Sequence, residues 1–252
     1  MLDPVDRFTP AAEEYARFRP DYPEDVVRIC ARHAGLNSAD TVVDVGCGTG
    51  IASRLFARHG YHVIGVEPNE AMRACAARAG GGPEYRAGKA EATGLPDGCA
   101  KLVIAAQALA WFNLPAALTE WRRVANPSGA CAAFSHMPGT GAWFDTFMDL
   151  YRRFVNEDAR KKLASPSTEA AFARLKESPH CRKLELHELL SPQSIELATM
   201  QGRAWTQSEI ANSGVNRAAF NEALREAFES LNVNGRAEYA YRLVVATWRP
   251  ND

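Results

Sequence analysis

Residues 42 to 50 read VVDVGCGTG: an apolar run, an aspartate at Asp44, and glycines at the alternate positions Gly46, Gly48 and Gly50. A strand that turns into a helix around a bound nucleotide has this composition, because glycine lets the backbone approach the ligand closely. Two departures say which nucleotide. Counted from Gly46 and Gly48, the dinucleotide fingerprint puts its third glycine at position 51, where this chain carries Ile51. Asp44, just ahead of the glycines, opposes a diphosphate and suits a cation. The loop therefore fits NAD poorly and a nucleoside bearing positive charge better. A second carboxylate, Glu67, closes the next apolar run, YHVIGVE, which puts it beside the loop if the two runs are successive strands. There it either accepts the two ribose hydroxyls of an adenosine or is a solvated strand-end acid.

Those groups need a scaffold that gathers successive strand ends. Val26, Val27 and Cys30 recur at helical spacing between Asp21 and Ala34, and a strand follows from Thr41 to Val45. A helix from about Gly50 to His59 ends at Gly60, and Asn69 caps another through AMRACAARA, stopped by Gly80, Gly81 and Gly82. A short strand at Glu84 to Arg86, a turn at Leu95 to Gly98, a strand at Leu102 to Ala106, and a helix near Pro115 to Val124 that leads through NPSG to a strand from Ala130 to Ser135 continue the alternation. Strands alternating with helices over short loops imply a parallel sheet covered on both faces. After His136 the alternation stops. Trp143 to Glu157 and Ser167 to Glu177 read as helices with no strand between them, an inserted cap. RKLELHELL then reads as a strand, SPQSIELATMQGRAW as loop and helix, Val215 to Leu231 as a helix, and RAEYAYRLVVATWRP as a closing strand.

Composition narrows the partners. Over 252 residues, 29 basic and 30 acidic side chains are spread without long runs, giving a net charge of -1, which argues against a nucleic-acid groove or an anionic membrane surface. A small-molecule partner is the default. Six scattered cysteines without CxxC spacing read as reduced thiols, and the histidines show no metal-ligand spacing, so no metal is expected. No stretch reaches the ~18 to 20 apolar residues of a membrane span, and the first residues have no basic-then-apolar leader pattern. The expected location is cytoplasmic, and the chain is read as a monomer or homodimer.

DVGCGTG, the acid in VIGVEPNEAM, GKAEATGLPDG, RVANPSG before a strand, and QALAWFN occur in one order. Together with the stretch from Tyr15 to Pro23, they resemble a class I methyltransferase using S-adenosylmethionine. The likeness is to the small-molecule branch that includes trans-aconitate methyltransferases and relatives of the quinone-biosynthesis C-methyltransferases. It covers residues 8 to 136 well and the rest only in pattern. It implies a Rossmann-like α/β fold: a seven-stranded sheet with an antiparallel last strand, helices on both faces, and a helical cap inserted between strands five and six. The chain is then one domain, 1–252, with N-terminal lid helices over 1–35 and the cap over 137–178.

The resemblance also implies roles. Asp44 helps hold the methionine ammonium, or caps the loop's own amides, or both. Gly46, Cys47 and Gly48 line that chain, Glu67 takes the ribose, and Pro68 and Met72 offer apolar surface to adenine, whose edge meets Ala90 and Glu91. Gln107 and Ala108 face the sulfonium, although Gln107 equally suits a loop backbone. Tyr15 and Arg19 belong to a lid in which the arginine meets the cofactor carboxylate, or else to a surface helix. S-adenosylhomocysteine would be the product. Two departures stand out: Lys101 where the family usually has an acid, and Ala110 where it often has histidine before Trp111-Phe112. The second excludes a histidine-assisted step there and favours an acceptor that needs no base.

For the acceptor, Trp111, Phe112 and Trp143 are candidate cavity aromatics or core, and Arg203 with Trp205 is a candidate carboxylate clamp or an exposed arginine. His136, ending the fifth strand, orients or deprotonates a hydroxyl, or is a satisfied loop histidine. The expected activity is methyl transfer to a small organic molecule, with oxygen as the favoured acceptor atom. Alternatives are a non-catalytic protein binding the same cofactor, an NAD-dependent oxidoreductase, and other chemistry run on a natural product with the donor bound.

Overall fold

The computed structural model describes residues 6–251, the side chains of Tyr239 and Ala240 excepted. The first five residues of the expected lid segment, and Asp252, lie outside the described residues. After a 3-10 segment, Asp6–Ala11, come α1 (Ala12–Phe18), α2 (Glu24–Ala34), β1 (Thr41–Val45), α3 (Ile51–Arg58), β2 (His62–Val66), α4 (Glu70–Ala79), β3 (Glu84–Arg86) and β4 (Ala100–Ala106). A 3-10 turn, Leu109–Trp111, leads to α5 (Leu114–Val124), β5 (Ala125–His136), α6 (Ala142–Phe154), α7 (Glu157–Lys162), α8 (Thr168–Lys176) and β6 (Cys181–Ile195). The chain ends with α9 (Leu197–Trp205), α10 (Ser208–Ala211), α11 (Arg217–Leu231) and β7 (Ala237–Pro250).

The seven strands form one sheet in the order β3-β2-β1-β4-β5-β7-β6. β1 pairs in parallel with β2 and β4, β2 with β3, and β4 with β5, whereas β7 lies antiparallel against β5. This is the sheet the sequence reading expects. The order reverses at β1, so the crevice between the carboxyl ends of β1 and β4 is where an open α/β sheet takes its ligand. Successive side chains of a strand point to opposite faces. Val42 packs with α2 and α3, around Val26, Cys30, Leu55 and Phe56, while Val43 and Val45 pack with Leu118 and Trp121 of α5 on the other side. Asp44 shares the face of Val42, the α3 side.

Chain packing gathers two compact units. The first comprises the residues up to Pro20, Pro138–Ser165 and Leu190–Arg242; the second comprises Asp21–Met137, Pro166–Leu189 and the chain from Leu243. The lid segment 1–35 therefore divides at Pro20: α1 packs on α9 in the first unit, and α2 covers the sheet in the second. The cap segment 137–178 divides too. α6 packs on α11, while α8 packs on the 3-10 turn of the second unit through Ala171, Phe172 and Leu175. The first unit has its own core of Trp143, Leu150, Met200, Trp205, Phe220, Leu224 and Phe228. It is built from insertions before and after β6, and the second insertion is as helical as the first.

Two local differences have simple causes. NPSG, which the sequence places between α5 and the strand, is part of β5: Ala100 pairs with Ala125 and Leu102 with Ala130, so residues 126–129 bow out opposite Lys101 while the chain stays extended. SPQSI continues β6 instead of forming a loop. All six cysteines are free thiols. Among the described residues no helix is long and apolar enough to cross a membrane, and no group of His, Cys, Asp or Glu is gathered to hold a metal.

Candidate functional site

The glycine loop runs from the end of β1 to the start of α3. Gly46, Gly48 and Gly50 have φ of 66°, 55° and 77°, the left-handed region that favours glycine. The loop is tied to β2 because Gly46 and Cys47 both donate their N–H to Val66 O, at 2.8 and 3.2 Å. Glu67 follows at once. Its Oε2 accepts from Gly48 N at 2.9 Å and its Oε1 from Asn69 N at 2.8 Å, while Asn69 caps α4 through Met72 N. The carboxylate is thus held in one orientation by two backbone donors and is only 8% exposed. Each oxygen keeps a further acceptor position. Burial raises the Glu67 carboxyl despite those two donors.

Asp44 is fully buried. Ser53 of α3 donates to its Oδ2 at 2.6 Å, whereas its Oδ1 is buried and accepts no hydrogen bond from the described residues. Of the two expectations for Asp44, capping of the loop amides is not what the side chain does; its partner is a helix hydroxyl. Burial first, and the neighbouring Glu67 charge second, push its carboxyl up to about 7. Leaving a buried polar atom unpaired costs about 1–3 kcal/mol, so this oxygen is a place where a donor or a cation would be stabilised.

The other wall elements are less uniform. Met72 is buried, and its Cε would lie 3.6 Å from a Cβ placed on Gly48, so the thioether lies close to the glycine loop. Pro68 is half-buried beside it. Cys47 turns away: its Sγ would sit 2.8 Å from a Cβ on Gly65, so the thiol packs over β2, and burial pushes it well up. Only the Cys47 backbone belongs to the loop surface. Ala90 is buried in the bend after β3, where Lys89 and Ala92 exchange backbone hydrogen bonds at 3.1 Å. Glu91 accepts from Asn113 N at 2.8 Å, so one of its oxygens is committed to the start of α5 rather than to a ligand.

Gln107 has φ of 56°, strained for a residue with a side chain. Its amide bridges two strand ends: Oε1 accepts from His136 N at 2.9 Å, and Nε2 points to His136 O at 3.5 Å. The amide thus holds the backbone of His136 at the end of β5. Ala108 and Phe112 press against the glycine loop, their Cβ and Cζ lying 3.0 and 2.9 Å from where a Gly46 Cβ would be. Phe112 also meets Trp121 edge-on at 6.0 Å, which makes it a wall of the loop and part of the sheet core. Trp111 is half-buried in the turn that α8 covers. His136 stacks on Tyr22, with ring centroids 5.2 Å apart and planes within 8°.

Tyr15, Arg19, Trp143, Arg203 and Trp205 belong to the first unit. The Arg19 guanidinium lies 4.8 Å over the Tyr15 ring. Trp143 and Trp205 are each 8% exposed in that unit's core; Trp205 donates to Asn221 at 2.9 Å, and Trp143 packs on Phe228. Arg203 donates to Phe18 O at 3.0 Å and to Gln193 Oε1, a packing made possible by Gly202, whose position leaves no room for a Cβ beside the Phe18 ring. Trp143 and Trp205 thus pack in the core of that unit, and Arg203 ties α9 to the end of α1.

Sequence reasoning missed Ser53, the Glu120 and Arg123 pair, and Tyr85. Glu120 accepts from Thr93 N and Oγ1 at 2.8 and 2.6 Å, and Arg123 bonds Glu120, Leu95 O and Asp97, so α5 grips the loop that carries Ala90 and Glu91. Nothing in the residue spacing announces this. Tyr85 had a signal: Gly65 faces it across β2 and β3, and an aromatic opposite a strand glycine covers the gap.

Residues 43–133 match the family described as "Methyltransferase domain". A Dictyostelium discoideum protein named as a methyltransferase is 33% identical over 131 residues, 52% of this chain and 49% of its own. The malonyl-[acyl-carrier protein] O-methyltransferase of Pectobacterium atrosepticum is 30% identical over 121 residues, 48% and 46% of the two chains. The chain thus spans about half the length of the curated relatives it matches. A solved structure from Anaeromyxobacter dehalogenans, described as a type II methyltransferase, superposes with a TM-score of 0.69 at 26% identity, covering 92% of this chain and 98% of that one.

Proposed function

We propose that the chain is a class I S-adenosylmethionine-dependent methyltransferase, a reading supported by the methyltransferase-domain match and the methyltransferase relatives, and that it transfers a methyl group from S-adenosylmethionine to a small organic acceptor. The observation that carries this is the pair of carboxylates at adjoining strand ends. Glu67 is pre-oriented by Gly48 N and Asn69 N, with acceptor capacity left for ribose hydroxyls. The bare Oδ1 of Asp44 suits the ammonium of the methionine portion, directly or through water. A diphosphate would meet two negative charges there.

The sulfonium supplies a methyl group already activated for displacement. What this chain contributes is position and exclusion of water. Gly46 and Gly48 leave the methionine chain a passage, Met72 and Ala90 give adenine apolar contact, and Ala108 with Phe112 closes the floor. In-line transfer asks for acceptor and methyl carbon about 3–3.5 Å apart, and an apolar surround favours the loss of charge. His136, held flat on Tyr22 with its backbone pinned by Gln107, orients an acceptor hydroxyl or takes its proton. Oxygen as acceptor is supported by the O-methyltransferase relative and by the absence of histidine at Ala110.

Calorimetric titration with S-adenosylhomocysteine and with NAD tests the reading. We expect saturable binding of the first only, weakened by roughly 1–3 kcal/mol in each of Asp44→Ala and Glu67→Ala. Tight NAD binding, or unchanged affinity in both variants, would overturn it. Labelled donor incubated with a panel of hydroxyl and carboxyl metabolites then separates a transferase from a protein that only binds the cofactor.

A further inference from the structure

Ser53 stands nine residues after Asp44, in the first turn of α3. The buried residues of that helix are Ala52, Ser53, Leu55 and Phe56, so a hydroxyl lies in a row that is otherwise apolar. A hydroxyl taken out of water needs an acceptor, a demand that alanine would not make. The acceptor is Asp44 Oδ2, 2.6 Å from Ser53 Oγ, a distance in the range of a hydroxyl donating to an ionised carboxylate. Both side chains are fully buried in the second unit. Tying down one oxygen orients the carboxyl group, and the other, Oδ1, is left bare among the described residues.

The helix end works in the same direction. Gly50, where α3 starts, gives no side chain to the first turn, and negative charge is favoured against the amides of such an end. Burial pushes the Asp44 carboxyl up to about 7; the Ser53 hydroxyl and N–H oppose that rise, and the Glu67 charge adds to it. Ser53 is thus the group that favours the ionised form of an otherwise disfavoured carboxylate. The other titratable side chains bearing on Asp44 are the Cys47 thiol of the loop and the Tyr85 phenol of β3, with the Arg54 guanidinium acting on Tyr85 and that of Arg73 on Glu67. Burial pushes Cys47 well up and Tyr85 up to about 12, which keeps both neutral around pH 7. Burial raises Glu67 as well, so its titration has to be separated from that of Asp44 by experiment.

We propose that Ser53 is a positioning residue of the candidate cofactor site: its hydroxyl fixes the Asp44 carboxylate with Oδ1 left for the ligand and keeps that group available to the ligand's cationic portion. This rests on the reading that the pocket takes S-adenosylmethionine. Two measurements on Ser53→Ala test it, carboxyl NMR titration of isotope-labelled aspartate and calorimetry with S-adenosylhomocysteine from about pH 6 to pH 9. The Asp44 resonance, identified by its loss in Asp44→Asn, should titrate about one pH unit higher in Ser53→Ala. Affinity should then be about fivefold weaker at pH 7 and within about twofold of the parent at pH 9. In the Asp44→Asn background, where Glu67 still titrates, Ser53→Ala should change affinity by less than about twofold. Ser53→Cys, which nearly keeps the volume and weakens the donor, should shift the midpoint by less, and it serves if the alanine variant fails to fold. An unmoved midpoint, a loss of affinity that is the same at every pH, or an equal loss in the Asp44→Asn background would overturn the proposal. A moved midpoint in a protein that does not bind S-adenosylhomocysteine would overturn the cofactor reading and still support the coupling of Ser53 to Asp44.

Discussion

Asp44 has one oxygen on Ser53 and the other bare inside the protein, an arrangement that makes its charge depend on what it meets. Its carboxyl sits at about 7, so the folded chain holds this proton to higher pH than the unfolded chain does. By linkage, this group's contribution to stability falls as pH rises from the ordinary carboxylate range through about 7. A ligand ammonium favours the ionised form. Affinity for S-adenosylhomocysteine should therefore tighten by up to about tenfold between pH 6 and pH 8, since one pKa unit is about 1.36 kcal/mol. Asp44→Asn should bind more weakly, show a flatter dependence, and melt higher than the parent at pH 8 without ligand. A parallel pH profile in the two proteins would exclude Asp44 as the source. For Glu67, Gln turns an amide donor toward one of two backbone donors, at a cost of about 1–3 kcal/mol. Glu67→Gln should thus lose thermal stability as well as affinity, measured by calorimetric melting. Both acids were legible in the sequence because they border a glycine motif. The direction of the Cys47 thiol was not, since it depends on Gly65 in another strand.

At the scale of elements, the strands that alternate with capped helices could be read directly, from TVVDV and HVIGV to the Asn69 cap, because period and punctuation are local. What could not be read was contact between elements. Phe112 belongs to the glycine loop only because the turn after β4 folds it onto Gly46. Gly46→Ala would add a Cβ 2.9 Å from that ring at a φ of 66°, where left-handed backbone alone costs roughly 1–2 kcal/mol. We expect a lowered melting temperature and loss of S-adenosylhomocysteine binding; a variant that keeps both would mean the loop relaxes freely. The Glu120 grip is a second such contact. Arg123 and Thr93 hold its carboxyl down to about 2, so the stabilisation is present above the ordinary carboxylate range and is lost as pH falls toward 2. Glu120→Ala should speed amide exchange over residues 88–98 and weaken cofactor binding severalfold. Unaltered exchange there would show the bend to be held by its own backbone bonds.

The whole molecule divides where composition gives no notice. Ser165 and Pro166 part α7 from α8 in what reads as one inserted stretch, and β6 and β7 each contribute residues to both units. The division is a matter of which apolar faces meet. Phe172 and Leu175 of α8 join the sheet core, while Phe220, Leu224 and Phe228 of α11 join Trp143 and Trp205. Separate cores imply separable local stability, because exchange protection follows cooperative packing units rather than chain order. Phe220 is fully buried between Phe154 and Trp205. Its replacement by Ala should cost about 3–5 kcal/mol in that core. Hydrogen exchange on Phe220→Ala should then show protection lost across 138–165 and 197–231. The amides of β1, β2, β4 and β5, the strands that position Asp44, Glu67 and Gln107, should keep theirs. The reciprocal change, Phe56→Ala in the sheet core, should reverse the pattern. Uniform loss of protection in both variants would mean that the two cores unfold as one cooperative body, and the candidate site would then share the stability of the helical unit.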